Sequence, residues 1–213
     1  LADMRKFFEE NREVQKVPVL LKGKPGVLAL VTLKDIAEFT DFPHALTGEN
    51  EELLVGAAVS TQERDLDRVE RVVRAGASVV VVDCAQGANI YAVRRIKEIK
   101  KKFPEVEVIA GNITTPDQAA FLVNAGADAI RIGAGPGSIC TTSATHRTGR
   151  GQLSATWDIC RGLEEVGLHV PVITDGGIGG MGDAALAFAC GSSTVMLGRL
   201  LAGTDEASSP FLD

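Results

Sequence analysis

The 213 residues are 45% hydrophobic and 23% charged, with 23 glycines and few aromatics, a balance that excludes a disordered chain and suits a small-residue-rich α/β protein. A net charge of −6 is the wrong sign for a phosphate-backbone footprint, so no nucleic-acid partner is expected. No apolar run reaches the roughly 18 residues of a membrane span and no signal-peptide pattern opens the sequence, so no membrane partner is expected.

In chain order, residues 1–12 read as the end of an amphipathic helix. Val17–Leu21 and Val27–Val31 then form two short strands around a Lys-Gly-Lys-Pro-Gly turn, and Thr32 can N-cap a helix beginning Leu33-Lys34-Asp35-Ile36. This helix, strand, turn, strand, helix order resembles the second half of a CBS module, assigned to residues 1–39. Residues 40–52 are polar and turn-rich and read as a linker to a larger domain over 53–213.

From Leu53 onward short apolar runs recur at 53–59, 78–83, 106–111, 128–133, 169–175 and 194–198. Helical patterns separate most of them, as at Asp65–Ala75, Ile90–Phe103 and Pro116–Ala125. Strand and helix in alternation predict a parallel sheet, and a run such as Val79-Val80-Val81-Val82 predicts strands covered on both faces. Arg-Ala-Gly-Ala, Asn-Ala-Gly-Ala and Ala-Cys-Gly-Ser each place a glycine stop after a helix. That regular unit favours a (β/α)8 TIM barrel over a doubly wound sheet. Six strands are visible, so two are expected elsewhere in a longer protein.

Barrel active sites lie at the C-terminal ends of strands and in the loops that follow. This rule selects Asp83, Asn112, Gly133–Ser138, Asp175-Gly176-Gly177 and Gly198-Arg199. Gly133-Ala-Gly135-Pro-Gly137-Ser138 offers amides and a hydroxyl to an anion but matches neither the dinucleotide fingerprint nor a P-loop. Either the three glycine-bearing strand ends converge on one phosphate, or their glycines only serve tight turns.

The four cysteines are widely spaced with no Cys-x-x-Cys pair, which argues against zinc and against a secreted disulfide framework, and so for a reducing, cytoplasmic setting. Cys160 and Cys190 fall on helical patterns and read as packing thiols. Cys84 reads either way. Cys140 lies in a Gly-rich loop flanked by Thr141, Thr142 and Ser143, where amides and basic groups can favour the thiolate, so nucleophile and structural thiol remain open. Residues 145–152 are long and polar for a barrel connection, as suits a mobile active-site loop. Within them His146 is a possible base or a solvated side chain. Lys100-Lys101-Lys102 reads as a solvated helix end.

Taken together, Val-Asp-Cys-Ala-Gln-Gly (82–87), Ala-Gly-Asn-Ile-Thr-Thr (110–115), Gly-Pro-Gly-Ser-Ile-Cys-Thr-Thr (135–142), Asp-Gly-Gly-Ile (175–178) and Met-Leu-Gly-Arg-Leu-Leu-Ala-Gly-Thr-Asp-Glu (196–206) resemble the inosine monophosphate dehydrogenase and guanosine monophosphate reductase superfamily, closest to the dehydrogenase. In that family a CBS pair interrupts the barrel after its second strand, which would account for the two missing strands. The resemblance implies that Cys140 attacks C2 of a purine nucleoside monophosphate and that Thr142 helps position the incoming water or ammonia. Ser138, Gly177 and Gly198 match phosphate-binding positions, with Gly176 beside them, and Asp175 matches the acid that binds the ribose hydroxyls. Asp83 matches the contact to the nicotinamide ribose, with Cys84, Arg131 and Gly133 on the same cofactor side. Asn112 and Arg131 match positions supporting the purine and the Cys loop. The carbonyls of Gly135, Gly137 and Cys140 match a potassium site completed by another subunit of a homotetramer. NAD is the implied cofactor of the dehydrogenase and NADPH of the reductase, and adenine or guanine nucleotides are the implied ligands of the CBS module.

Three departures stand out. Arg199 replaces the usual Ser or Gly, where a guanidinium could bind phosphate bidentately. Ser143 replaces the usual Arg or Gln. The flap that carries the family's catalytic base is expected beyond Asp213. A CBS pair favours the dehydrogenase, whereas Gln152-Leu153-Ser154-Ala155 resembles the reductase. The other readings are a CBS-regulated, non-catalytic nucleotide-binding protein and an unrelated phosphate-binding barrel. For the latter no Schiff-base Lys or acid pair sits at a strand end.

Overall fold

The computed structural model describes residues 2–23, 25–41, 44–48, 52–205 and 207. Parts of the expected linker (42–43 and 49–51), Glu206 and Asp213 lie outside the described residues. The chain divides into two compact units, Leu1–Leu54 and Val55–Asp213.

The first unit carries α1 (Ala2–Glu10), an antiparallel pair of β1 (Lys16–Leu20) and β2 (Val27–Thr32), and α2 (Leu33–Asp41). As the sequence predicts, Thr32 starts α2. Its hydroxyl accepts from the Asp35 amide at 3.2 Å, while Asp35 accepts from the Thr32 amide at 2.6 Å and from the Thr32 hydroxyl at 2.9 Å. This reciprocal capping box holds the Asp35 carboxyl below its usual range, first through the Thr32 backbone N–H. Among the described residues of this unit, Phe8 and Ile36 are the buried apolar side chains.

The second unit is a six-stranded parallel sheet in sequential order: β3 (Gly56–Val59), β4 (Val79–Asp83), β5 (Glu107–Ile113), β6 (Ala129–Ile132), β7 (Val172–Asp175) and β8 (Thr194–Met196). Between them run α3 (Leu66–Arg74), α4 (Ile90–Lys102), α5 (Pro116–Val123), the short α6 (Thr142–His146), α7 (Gln152–Glu165) and α8 (Met181–Ala189). A single sheet of parallel strands in chain order, each joined to the next by a helix, is the β/α unit repeated, six strands of a (β/α)8 barrel.

Local chemistry explains these boundaries. Asn89 caps α4 by accepting from the Ala92 amide at 2.9 Å, and Thr115 caps α5, where Pro116 has no N–H to leave unpaired. The predicted glycine stops after α3, α5 and α8 all adopt left-handed backbone, with φ of 98°, 108° and 99° at Gly76, Gly126 and Gly191.

Alternate strand residues (Val80, Val82, Val108, Ala110, Ile130, Ile132) are buried in one core with Ile96, Ile99, Leu122, Ile159 and Leu163 of the helices. Each Val, Leu or Ile side chain among them contributes about 1.5–3 kcal/mol by leaving water. The intervening residues Val79, Val81, Ile109 and Ala129 are half-buried. Of the lysines at the end of α4, Lys101 and Lys102 are exposed, and Lys100 is half-buried. Lys100 donates to Asp128 at 2.9 Å and to the Val106 carbonyl at 3.2 Å, and Lys102 donates to Glu70 at 2.6 Å, which ties the helix end to its neighbours.

Candidate active site

The C-terminal ends of β4, β5, β6 and β7 enclose a cavity of about 320 Å3. Its lining brings together Asp83, Cys84, Asn112, Arg131, Gly133, Gly135, Gly137, Cys140, Thr142, Asp175 and Gly176 from the expected site. Parallel register determines which of these can meet. Asp83 pairs with Gly111, and Gly111 with Arg131, so the three stand in one row across β4, β5 and β6. Glycine in the middle leaves the row open, and the buried Arg131 guanidinium reaches across it to contact the Asp83 carboxylate. A methyl group at Gly111 would stand 2.4 Å from the Arg131 carbonyl oxygen, so no other residue fits there.

Arg131 is shared. Its other terminal nitrogen lies 3.7 Å from Asp175 Oδ2 and 3.6 Å from Met196 Sδ. Asp175 also accepts from Asn112 Nδ2 at 2.9 Å. One cation therefore balances two carboxylates on strands two places apart on one side and one on the other. Buried polar capacity remains: Asn112 Oδ1 and Arg131 Nε have no hydrogen-bond partner among the described residues. Atoms of this kind at a cavity wall are suited to a polar ligand.

The thiol is presented by the loop after β6. Gly133 and Gly135 have φ of 146° and 94°, and the Cys140 amide donates to the Gly137 carbonyl at 2.9 Å in a tight turn. Cys140 is exposed, and its pKa is lowered by hydrogen bonds from the Thr142 hydroxyl, then the Thr142 amide, with a smaller contribution from the Gly135 amide. The Cys160 thiol, by contrast, is pushed up by burial and by neighbouring Cys190. Cys84 accepts from Asn89 Nδ2 at 3.3 Å at the cavity edge. The β6 and β7 loops touch, since a Cβ at Gly176 would lie 3.0 Å from the Gly137 amide and one at Gly177 would lie 3.3 Å from Pro136.

Other expected residues are placed differently. Ser138, Gly198 and Arg199 are exposed, and with Gly177 they are outside this cavity's lining. Gly198 instead opens a turn whose carbonyl accepts from the Leu201 and Ala202 amides. His146 is exposed, 2.9 Å from its neighbour Thr145 Oγ1, and away from the cavity. The segment read as a mobile loop begins in the last two residues of α6, passes through a left-handed Arg147 with φ of 53°, and returns through Arg150, which donates to the Thr114 carbonyl at 3.0 Å and contacts Asp158. Among the described residues, no group of three or more His, Cys, Asp or Glu could hold a metal, and no helix is long and apolar enough to cross a membrane.

Fold and cavity together define a TIM-barrel segment with a thiol-bearing loop and an Asp–Arg–Asp cluster at the C-terminal ends of its strands. The family profile of the IMP dehydrogenase / GMP reductase domain matches residues 4–212, and the chain belongs to that family. It is 45% identical over 208 residues to an inosine-5'-monophosphate dehydrogenase of Aquifex aeolicus and 41% identical over 211 residues to that of Toxoplasma gondii, covering 97% and 99% of this chain. The alignments cover 41% and 38% of those relatives, so the chain spans about two fifths of their length. A solved structure of a GMP reductase variant from Trypanosoma brucei with guanosine 5'-monophosphate superposes with a TM-score of 0.87 at 39% identity, covering 98% of this chain and 43% of that one.

Proposed function

We propose that the protein is a purine nucleotide oxidoreductase that oxidises inosine monophosphate to xanthosine monophosphate with NAD. The observation that carries this reading is the exposed, acidified Cys140 thiol in one cavity with Asp175, Arg131 and Asp83. The Cys140 thiolate adds to C2 of the purine, and NAD, when bound, would supply the acceptor for the C2 hydrogen as hydride. The resulting thioimidate is hydrolysed by water, which releases the thiol and the oxidised base. Asp175 binds the ribose of the nucleotide and Asp83 that of the nicotinamide. Asn112 and Arg131 orient both carboxylates, while Cys84 and Gly133 border the cofactor side. Thr142, beside the thiol, directs the incoming water. Ser138, Gly176, Gly177, Gly198 and Arg199 are assigned to the phosphate, a role that requires the exposed ones to be brought in around the ligand. The carbonyls of Gly135, Gly137 and Cys140 are hard oxygen donors suited to potassium. The Gly137 carbonyl keeps a second lone pair beyond its bond to the Cys140 amide.

Residues 1–39 are read as half of a CBS module that binds adenine or guanine nucleotides, 40–52 as its linker and 53–213 as barrel, within a cytoplasmic homotetramer. The helix and hairpin order of the first unit supports the CBS reading of residues 1–39. A second reading, reduction and deamination of guanosine monophosphate with NADPH, is favoured by the likeness to GMP reductase structures. Assay of the full-length protein separates the two. NADH formation from inosine monophosphate and NAD is expected, and ammonia release from guanosine monophosphate with NADPH would replace this reading with the second. A protein that turns over neither substrate and is not labelled at Cys140 by 6-chloropurine riboside monophosphate would be a non-catalytic binder.

A further inference from the structure

Gln152 opens α7, away from the strand ends that the barrel rule selects. Its side-chain Nε2 donates to the Ile132 carbonyl at 2.9 Å and to the Asp175 carbonyl at 3.0 Å. These are the last residues of β6 and β7. Both partners are acceptors, so the orientation of the amide is fixed by chemistry, since its oxygen would face two carbonyls if flipped. The β6–β7 ladder stops at Ile132 and Thr174. One position further on, the Gln152 amide supplies the next rung between the two strands. The strand ends are also packed together there, because a Cβ at Gly133 would stand 2.2 Å from the Asp175 carbonyl oxygen and 3.3 Å from Gln152 Nε2.

The backbone that carries this amide is held from α7, through the Gln152 main-chain carbonyl. Thr156 Oγ1 donates to the Gln152 carbonyl at 2.9 Å and lies 3.0 Å from Thr174 Oγ1, which donates to Ser192 Oγ at 2.9 Å. The single Ser192 proton is directed to the Thr194 carbonyl at 2.7 Å, with the Val172 carbonyl at 3.2 Å. Thr156, Thr174 and Ser192 are all buried. These linked buried hydroxyls hold the first turn of α7 against β7.

We propose that Gln152 is a positioning residue, whose amide sets the separation between the root of the Cys140 loop and Asp175, and so aligns the thiol with a nucleotide anchored by its ribose. This rests on the reading of Cys140 as nucleophile and Asp175 as ribose anchor. Gln152 touches neither reactant. It acts through the two strand ends.

Two reagents applied to the full-length protein test it. Iodoacetamide needs only a reactive thiol. 6-Chloropurine riboside monophosphate needs the thiol and the ribose anchor in register, because the Cys140 thiolate must displace chloride from the bound ring. In Gln152→Glu a carboxylate of the same shape faces both carbonyls and cannot donate. The expected result, read by mass spectrometry at Cys140, is iodoacetamide labelling within about twofold of wild type and nucleotide labelling at saturation slowed on the order of 10²-fold, the scale of an ångström-sized misplacement. Gln152→Leu removes the donor without adding charge and should show the same split if the glutamate variant folds poorly. Nucleotide labelling at the wild-type rate in both variants would overturn the proposal. So would equal slowing by both reagents, which would mean that the amide only supports the fold. If iodoacetamide labels wild-type Cys140 and the nucleotide does not, the nucleotide-site reading itself fails and the proposal falls with it.

Discussion

Asn112 Nδ2 donates to Asp175 Oδ2 at 2.9 Å, a bond that spans from β5 to β7 across the intervening β6. It fixes the carboxylate assigned to the nucleotide ribose. Asn112→Asp would replace the donor with a second carboxylate at the same distance, and two such groups cannot both ionise freely. Nucleotide affinity should fall by about tenfold at alkaline pH, where both are charged. It should recover as pH is lowered and the pair takes up a shared proton. Asn112→Ala should show the loss without the recovery. Isothermal titration with inosine monophosphate across pH reads this directly, and parallel profiles for the two variants would contradict it.

Thr142 is the main cause of the lowered Cys140 pKa. A depressed pKa means that the thiolate persists to lower pH than an ordinary thiol allows, so iodoacetamide labelling of Cys140 should reach half its maximum below the usual thiol range. Cys160, raised by burial, should reach it above. Thr142→Val removes the hydroxyl donor, so the Cys140 midpoint should move upward and labelling at neutral pH should slow. A pH–rate profile by mass spectrometry tests this, with an unmoved midpoint as the contrary outcome.

Arg131 is shared by Asp83 and Asp175, and Gly111 keeps the path to Asp83 open. Asp83 is about half exposed, with 59% of its side chain accessible, so water already screens that partner. Arg131→Met should therefore cost only about 1–2 kcal/mol in urea unfolding, below the penalty of breaking a fully buried pair. Its effect on turnover should be much larger, because two carboxylates lose their common counter-charge. Gly111→Ala should reproduce the functional loss by displacing the Arg131 backbone, with the charge still present. A Gly111→Ala protein with wild-type kinetics would contradict this account of the row.

The Thr156, Thr174 and Ser192 hydroxyls are buried and mutually bonded. Thr174→Val keeps the shape but removes one member, leaving its neighbours short of partners, at about 1–3 kcal/mol. In the second unit this should appear as a fall in Tm of several degrees in calorimetry. An unchanged Tm would mean that the hydroxyls repartner locally.

The six strands, the parallel order and the three glycine stops were legible from the sequence because each depends on local pattern: β-branched runs, helical periodicity and glycine at a left-handed position. Most of the cavity was legible for a related reason, since Asp83, Asn112, Cys140 and Asp175 all stand at strand ends that a barrel must gather. The clustering of Arg131 with both aspartates was not, because it follows from register, which places Asp83, Gly111 and Arg131 in one row although they are separated in sequence. Gln152 left no readable signal, as a glutamine at a helix start has many possible roles until two carbonyls are seen to converge on it. The same limit applies to Ser138, Gly198 and Arg199, whose exposure the sequence could not show. By itself the sequence determined which residues end the strands and that one thiol sits in a loop of small polar neighbours. Tertiary structure alone decided which of those groups share a cavity, since side-chain reach across a sheet depends on strand register and on the empty space that glycine leaves.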